Sequence, residues 1–341
     1  MIAVSALVWR QYRVQAAAAG AVLAAFAALL VVTGVQMAAR WHSALSACSA
    51  SATCANLPDS LFLGSHFVGF LVVLTLLVPP VLGILCGAPL VAHELETRTS
   101  DFAWTQAITR RRWLAVKAGW LLLATACFAG VVSGLVTWWS GPDNALQADA
   151  FSVGRFDIMG IVPVAYALFA MGLGIACGTV LRRTVPAIGL TLAAYLAVRL
   201  LFAQWIRPHY LSAVTHVYAL TQNWAPAGAA WQLGSGVVAP GGRMLSMQDG
   251  SDIAANVPSA DVPGVCESVA SQASQASQAS QGQNDPGHVL SCMQSLGYRQ
   301  YIAYQPASRY WEFQGIEAVI FVALAAALIG VALAVVARRN A

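Results

Sequence analysis

Charge is scarce in this chain. Asp, Glu, Lys and Arg together make up 9% of the 341 residues, against roughly 25% in an ordinary soluble domain. One lysine, Lys117, stands beside seventeen arginines. A Gly-x-x-x-x-Gly-Lys-Ser/Thr phosphate loop is missing. Such a loop needs glycine amides and a lysine on the phosphates, and Lys117 follows Trp113-Leu114-Ala115-Val116, so ATP hydrolysis of that kind is excluded. The six histidines, His42, His66, His93, His209, His216 and His288, are dispersed. With no His-Glu-x-x-His or paired Cys-x-x-Cys spacing, nothing points to a metal centre. Gly-x-Ser-x-Gly is also missing, which removes the hydrolase nucleophile elbow. The formal charge of +4 is too modest to suggest a nucleic-acid partner. The sequence is therefore not read as that of an enzyme, and it implies no cofactor or metal of its own.

Apolar residues dominate: 58% of the chain is hydrophobic, arranged in blocks of about 20 and not at amphipathic spacing. About 20 such residues in a helix rising about 1.5 Å each cross a hydrocarbon core of roughly 30 Å. Backbone polar groups in lipid must be satisfied internally, and the blocks are too uniform for alternating barrel strands. The expectation is an all-α membrane protein of six transmembrane helices, near residues 16–37, 67–91, 118–139, 158–180, 185–203 and 316–336. The second block contains Pro79-Pro80, and the third ends on Trp138-Trp139, a pair suited to a membrane–water boundary. Arg182-Arg183-Thr184 alone separates the fourth and fifth blocks, which predicts a tight helical hairpin. The first block is read as a retained helix, too long for a secretory signal.

Basic residues set the direction. Arg10, Arg13, Arg98, Arg110, Arg111, Arg112, Lys117, Arg182, Arg183, Arg338 and Arg339 share one side. The opposite side holds Arg40, Arg155, Arg207, Arg243, Arg299 and Arg309, spread over more residues. Both termini are thus expected in the cytoplasm, with most acidic residues, Asp157 among them, outside. Cys48 and Cys54 fall in one outer loop and Cys266 and Cys292 in another, on the side where disulfides persist. Each pair is a candidate disulfide, with two free thiols as the alternative. Arg199 and Glu317 stand inside apolar blocks at similar depth. They are candidates for an intramembrane ion pair, the alternative being that both snorkel to the outer interface.

The expected organisation is residues 1–203 for helices one to five, including a cytoplasmic loop over 92–117. A large extracytoplasmic segment follows over 204–312, then helix six and a tail over 313–341. Ser-Gln-Ala repeats at 271–281 make a polar low-complexity tract that cannot build a core and reads as a linker. The flanking stretches carry enough Trp, Tyr and Leu for a small ordered lobe.

The 92–117 loop is the most informative stretch. It contains His93-Glu94-Leu95-Glu96-Thr97-Arg98-Thr99, then Ala103-Trp104-Thr105-Gln106, then Thr109-Arg110-Arg111-Arg112-Trp113 and Lys117. These residues resemble the cytoplasmic loop of bacterial type-2 ABC transporter permeases, most closely actinobacterial members. The pattern there is Glu-x-Glu-x-Gly-Thr, Trp-Thr-Gln and Thr-Arg-x-Arg-Trp. Tyr304 to Trp311 and Arg207-Pro208-His209-Tyr210 extend the likeness over most of the chain, apart from the Ser-Gln-Ala tract. The resemblance implies a bacterial plasma-membrane permease half with an elbow helix at Trp9–Arg13. It implies dimerisation with a second copy or a related permease, and ATP bound and hydrolysed on a separate ABC ATPase subunit. Glu94, Glu96, Thr99, Trp104, Thr105, Gln106, Arg110, Arg111 and Arg112 would form the docking region. Arg98 stands where the family has glycine, so the local turn differs. Read from residues alone, the same charges fit a solvated ionic face and an anchor on anionic headgroups.

The function implied is ATP-driven export by alternating access. Lipids, peptides and drugs suit such apolar spans equally. A membrane-anchored sensor or scaffold, whose outer lobe binds a ligand or partner, is the alternative. A proton-coupled transporter is disfavoured because the blocks lack a chain of acidic groups.

Overall fold

The computed structural model describes residues 20–36, 65–96, 110–140, 151–222, 224–226, 230–247 and 287–338, together with a few single positions such as Cys266. Helix α1 covers Gly20–Gln36. Helix α2, Ser65–Leu82, passes through a π-turn at Gly83–Gly87 into α3, Ala88–Glu96. Helix α4 is Arg110–Trp139, the single turn α5 is Val153–Phe156, α6 is Val162–Leu181 and α7 is Thr184–Leu201. A second π-turn, Phe202–Ile206, and a 3-10 turn, Arg207–His209, prolong α7. Helix α9, Tyr310–Arg338, ends the helical set.

Five of these helical stretches are long and apolar enough to cross a membrane: Gly69–Ala92, Arg111–Trp139, Val162–Leu181, Thr184–His209 and Ala307–Arg338. Among the described residues α1 is a shorter apolar helix. The boundaries shift from those expected. Ile158–Ile161 lie in a turn ahead of α6, and α4 begins at Arg110 instead of residue 118. Counting apolar residues reports the hydrocarbon crossing. Helical hydrogen bonding runs on past it into the flanking basic stretch, here residues 110–117.

Helix α6 is apolar on every side and is the central helix, with sixteen of its 20 residues buried. Its contact with the α2–α3 stretch depends on glycines at four-residue spacing on both partners. A Cβ on Gly83 would lie 2.5 Å from the Ala170 carbonyl oxygen, and one on Gly178 would lie 2.5 Å from that of Ala88. A Cβ on Gly174 would meet the Gly83 carbonyl oxygen and come within 2.8 Å of the Ala88 nitrogen. Backbone therefore packs on backbone, as small residues permit between membrane helices. Pro79 and Pro80 lie just ahead of the π-turn; lacking N–H groups, they release carbonyls of the preceding turn and loosen the helix there.

At one end of this helical unit Leu90, Val91, Trp113, Leu114, Ala118, Met171, Ile175 and Ala332 form one apolar cluster. At the other end Leu30, Leu71, Val132, Val136, Trp139, Ile158 and Met159 form another. There the Trp139 indole donates to the Thr33 hydroxyl at 3.0 Å.

Residues Leu211–Tyr310 belong to a second compact unit, and it corrects the all-α expectation. Strands β1 (Val214–Ala219), β2 (Trp231–Val238), β3 (Met244–Met247) and β4 (Arg299–Gln305) form an antiparallel sheet in the order β1-β4-β2-β3. Helix α8, Gly287–Ser295, carries Met293 and Cys292 against Leu220 and Val237. Cys266 and Cys292 are joined by a disulfide, whereas Cys48 and Cys54 lie outside the described residues. Within the sheet unit Trp224 stacks on His216 with ring centroids 4.0 Å apart, and Tyr218 and Tyr304 flank it. Burial raises the Tyr218 hydroxyl above the usual phenol pKa.

Gly174→Ala is expected to lower stability by about 1–3 kcal/mol, because the added methyl overpacks a backbone contact. Gly189→Ala, where a Cβ meets nothing within 4 Å, is expected to be neutral or stabilising through helix propensity. Thermal unfolding of the two detergent-solubilised variants checks this; equal midpoints would show that the close contact is not limiting.

Candidate functional site

Four charged side chains meet inside the helical unit. Asp157 comes from the turn after α5, Arg199 from α7, Arg207 from the 3-10 turn beyond it and Glu317 from α9. Arg199 Nη2 lies 2.5 Å from Asp157 Oδ2, and Arg199 Nη1 lies 3.2 Å from Glu317 Oε1. Arg207 closes the other two sides. Its Nη2 donates to Asp157 Oδ1 at 2.6 Å and to Glu317 Oε1 at 2.9 Å, and its Nε donates to Glu317 Oε2 at 2.8 Å. Acid and base alternate around the square, which sums to zero formal charge. The Asp157, Arg207 and Glu317 side chains are at most 1% exposed, and that of Arg199 is 11% exposed. Isolated charges so buried would cost several kcal/mol each; pairing on every edge offsets that cost.

Tyr166 of α6 stands at the centre. Its hydroxyl donates to Glu317 Oε1 at 2.5 Å and accepts from Arg207 Nη2 at 3.1 Å. The Arg199 guanidinium lies over the Tyr166 ring, 3.6 Å from its centroid, and that of Arg207 lies over Phe156 at 4.2 Å. Tyr210, just past the last helical turn, has a buried hydroxyl with no hydrogen-bond partner among the described residues. Burial first, and the Glu317 carboxylate next, raise its pKa and keep it protonated.

Local structure explains how the square forms. Eight residues separate Arg199 from Arg207, which in a regular α-helix would set them about 80° apart around the axis. The π-turn at Phe202–Ile206 takes up about one extra residue, and the two guanidiniums then face together. Asp157 is aimed by the turn ending at Gly160, whose φ of 74° favours glycine. Buried Gln314, one turn of α9 before Glu317, fastens that turn. Its Oε1 accepts from the Ile161 and Val162 amides at 3.1 and 3.0 Å, and its Nε2 donates to the Phe156 and Met159 carbonyls. This caps the first turn of α6 with a side chain from another helix.

Of the sequence candidates, Arg199 and Glu317 are brought together at 3.2 Å. Asp157 and Arg207, expected as outer-loop charges, are instead buried beside them. Asp157 sits just ahead of the fourth apolar block and Arg207 four residues past the fifth, and the signal that could have found Arg207 is the Arg-Pro-His-Tyr stretch it opens. Tyr166 and Gln314 gave no sequence signal.

The expected docking residues are distributed differently. Glu94 and Glu96 lie in α3, and Arg110, Arg111 and Arg112 open α4. Thr99, Trp104, Thr105, Gln106 and the Trp9–Arg13 segment lie outside the described residues. Glu96 reaches across to α7, where its Oε2 accepts from the Thr184 amide at 3.1 Å and from the Thr184 hydroxyl at 2.8 Å. A carboxylate there satisfies an open N–H and complements the positive helix end. Among the described residues no group of three or more His, Cys, Asp or Glu is placed to hold a metal ion.

Compared with known families, residues 20–207 match the ABC-2 membrane transporter related family. The chain belongs to that family. The match spans the helices from α1 through the turn carrying Arg207. It thus includes the glycine contacts, Glu96, Asp157, Arg199 and Arg207, while Glu317 and the sheet unit lie beyond it. No curated protein and no solved structure matches the chain. The ABC-2-related assignment, with several apolar helices long enough to span, makes this a multi-pass membrane protein of permease type. Membrane subunits of the family generally work with ATPase partners.

Removing one corner of the square leaves an uncompensated buried charge. Glu317→Gln or Asp157→Asn is expected to cost about 3–5 kcal/mol of stability. The double variant Arg207→Leu/Glu317→Leu is expected to cost clearly less than the sum of its singles. A double-mutant cycle on thermal unfolding midpoints reads this coupling; additive losses would dismiss the square as a cooperative unit.

Proposed function

We propose that the chain is the permease subunit of an ATP-driven transporter. It has six spans with both termini in the cytoplasm of a bacterial cell, and it works as a dimer with a second copy or a related permease. ATP is bound and hydrolysed by a separate ABC ATPase subunit, and the chain has no catalytic or cofactor site of its own. The substrate class is lipophilic or drug-like, moved outward by alternating access.

The observation that supports this reading best is the path from α3 into the helical core. Helix α3 continues the second span to Glu96. Its start packs backbone to backbone on α6, and its end is tied to the first residue of α7. The segment between Glu96 and Arg110, where the resemblance places ATPase docking, therefore adjoins a lever already fastened to two other helices. A displacement at Glu96 moves the α6–α7 hairpin directly.

A second reading, a membrane-anchored sensor or scaffold, draws on the disulfide-closed sheet unit with its aromatic cluster. The two separate on a deletion. Excising residues 214–305 abolishes function in a sensor and leaves ATPase docking and ATP-dependent helix movement in a permease.

Co-expression with a neighbouring ABC ATPase tests the proposal: the two are expected to co-purify, and the complex to hydrolyse ATP. Glu96→Ala removes the cap on α7, an interaction worth about 1 kcal/mol, and is expected to lower coupled transport about fivefold while co-purification persists. Failure of any ATPase to bind, with ATP leaving the helices unmoved, overturns the reading.

A further inference from the structure

A groove lies between the first turn of α4 and the last turns of α9. It has a volume of about 520 Å³ and is lined by Arg111, Arg112, Ala115, Gly330, Leu333 and Ala334. The two arginines differ from the other guanidiniums described above. Arg199 and Arg207 are buried and paired on every side, whereas Arg111 and Arg112 are exposed, and among the described residues neither has an ion pair, a hydrogen bond or a ring contact. Two adjacent uncompensated cations thus stand over a wall with no polar side chain. Gly330 widens that wall, since nothing lies within 4 Å of where its Cβ would be. Arg338 is exposed and lies four residues beyond Ala334, on the same face of α9.

Position selects the occupant. Arg111 begins one membrane-spanning stretch and Arg338 ends another, so the groove opens where two spans leave the hydrocarbon. A ligand matching it carries negative charge at the interface and an aliphatic tail below. Guanidinium forks suit phosphate oxygens, and basic pockets between spans take anionic headgroups. A water-soluble anion would satisfy the arginines and leave the aliphatic wall uncovered; a zwitterionic lipid would do the reverse.

We propose that this groove binds one anionic phospholipid, its phosphate between Arg111 and Arg112 and an acyl chain along Ala115, Gly330 and Leu333. The assignment rests on the spans crossing a bilayer and not on the transport reading, so its failure leaves that reading intact. It gives Arg111 and Arg112 to lipid, and leaves ATPase docking to Arg110 and the residues before it.

The test is native mass spectrometry of the full-length protein in non-ionic detergent, titrated with phosphatidylglycerol or with phosphatidylcholine of the same acyl chains. A second arm measures thermal protection by phosphatidylglycerol and by inorganic phosphate. Two surface arginines predict about ten- to thirtyfold preference for phosphatidylglycerol. Arg111→Gln/Arg112→Gln is expected to reduce that preference to about twofold. Gly330→Leu, which fills the groove at unchanged charge from a position where a Cβ meets nothing within 4 Å, is expected to weaken phosphatidylglycerol retention while the lipid-free unfolding midpoint does not fall below that of wild type. Equal retention of the two lipids by the wild-type protein overturns the proposal. So does a preference that survives both variants, and so does protection by inorganic phosphate equal to that by phosphatidylglycerol, which would make the site one for a free anion.

Discussion

Placing two carboxylates and two guanidiniums out of water is the constraint around which the helical unit is arranged. Coulomb attraction strengthens as the dielectric falls, but so does the cost of stripping each ion of its hydration. The balance is favourable only when every charge has opposite neighbours at contact distance. Asp157, Arg199, Glu317 and Arg207 meet that condition by alternating around a closed square, with Tyr166 adding the remaining hydrogen bonds. Removing any corner also strands the two beside it, so the geometry of three separate chain segments, the Asp157 turn, the prolonged α7 and α9, is set jointly.

That requirement accounts for features which look like irregularities in isolation. The π-turn after α7 loosens a membrane helix just where regular hydrogen bonding would be safest. Yet without its extra residue Arg207 would turn away from Arg199. Gly160 adopts a backbone conformation that side chains disfavour, and Gln314 is spent on capping α6. Both hold the turn that aims Asp157. A buried polar network is tolerable when it is fully satisfied; here the supporting turns are what satisfy it.

Much of this was legible in the sequence, for a physical reason that also sets the limit. Hydrocarbon demands long apolar helices, so the spans announce themselves, and a charge inside a span, such as Arg199 or Glu317, is conspicuous because it is costly. Asp157 sits one residue before the fourth apolar block and Arg207 four residues past the fifth, where charges are ordinary. Their burial is a consequence of the Gly160 turn and the π-turn, which no periodicity reveals. The sheet was missed on different grounds. Its first strand pairs with its last, Val214 opposite Tyr304, and a long polar tract intervenes, so nothing local marks the partnership. Glu96 was picked out by its motif, yet its hydrogen bonds to Thr184 depend on α3 and the α6–α7 hairpin converging, which only three dimensions supply.

The distribution of strong and weak contacts then limits how this permease unit can move. Helix α6 is gripped at one end by the charge square and the Gln314 cap, and along the rest by glycine-to-backbone contacts with the α2–α3 stretch. Separating one edge of the square means exposing a charge in a poor solvent, at a cost of a few kcal/mol. Sliding two apolar surfaces past one another exchanges contacts of similar strength and costs far less. Helices α6, α7 and α9 are therefore expected to travel together, with shear concentrated at apolar surfaces such as the one joining Leu90 and Val91 to Trp113 and Leu114. That surface lies beside Glu96 and the start of α4. The softest contacts of the unit thus adjoin the segment where a partner would push, and the stiffest hold the opposite end, as a lever with a fixed fulcrum requires.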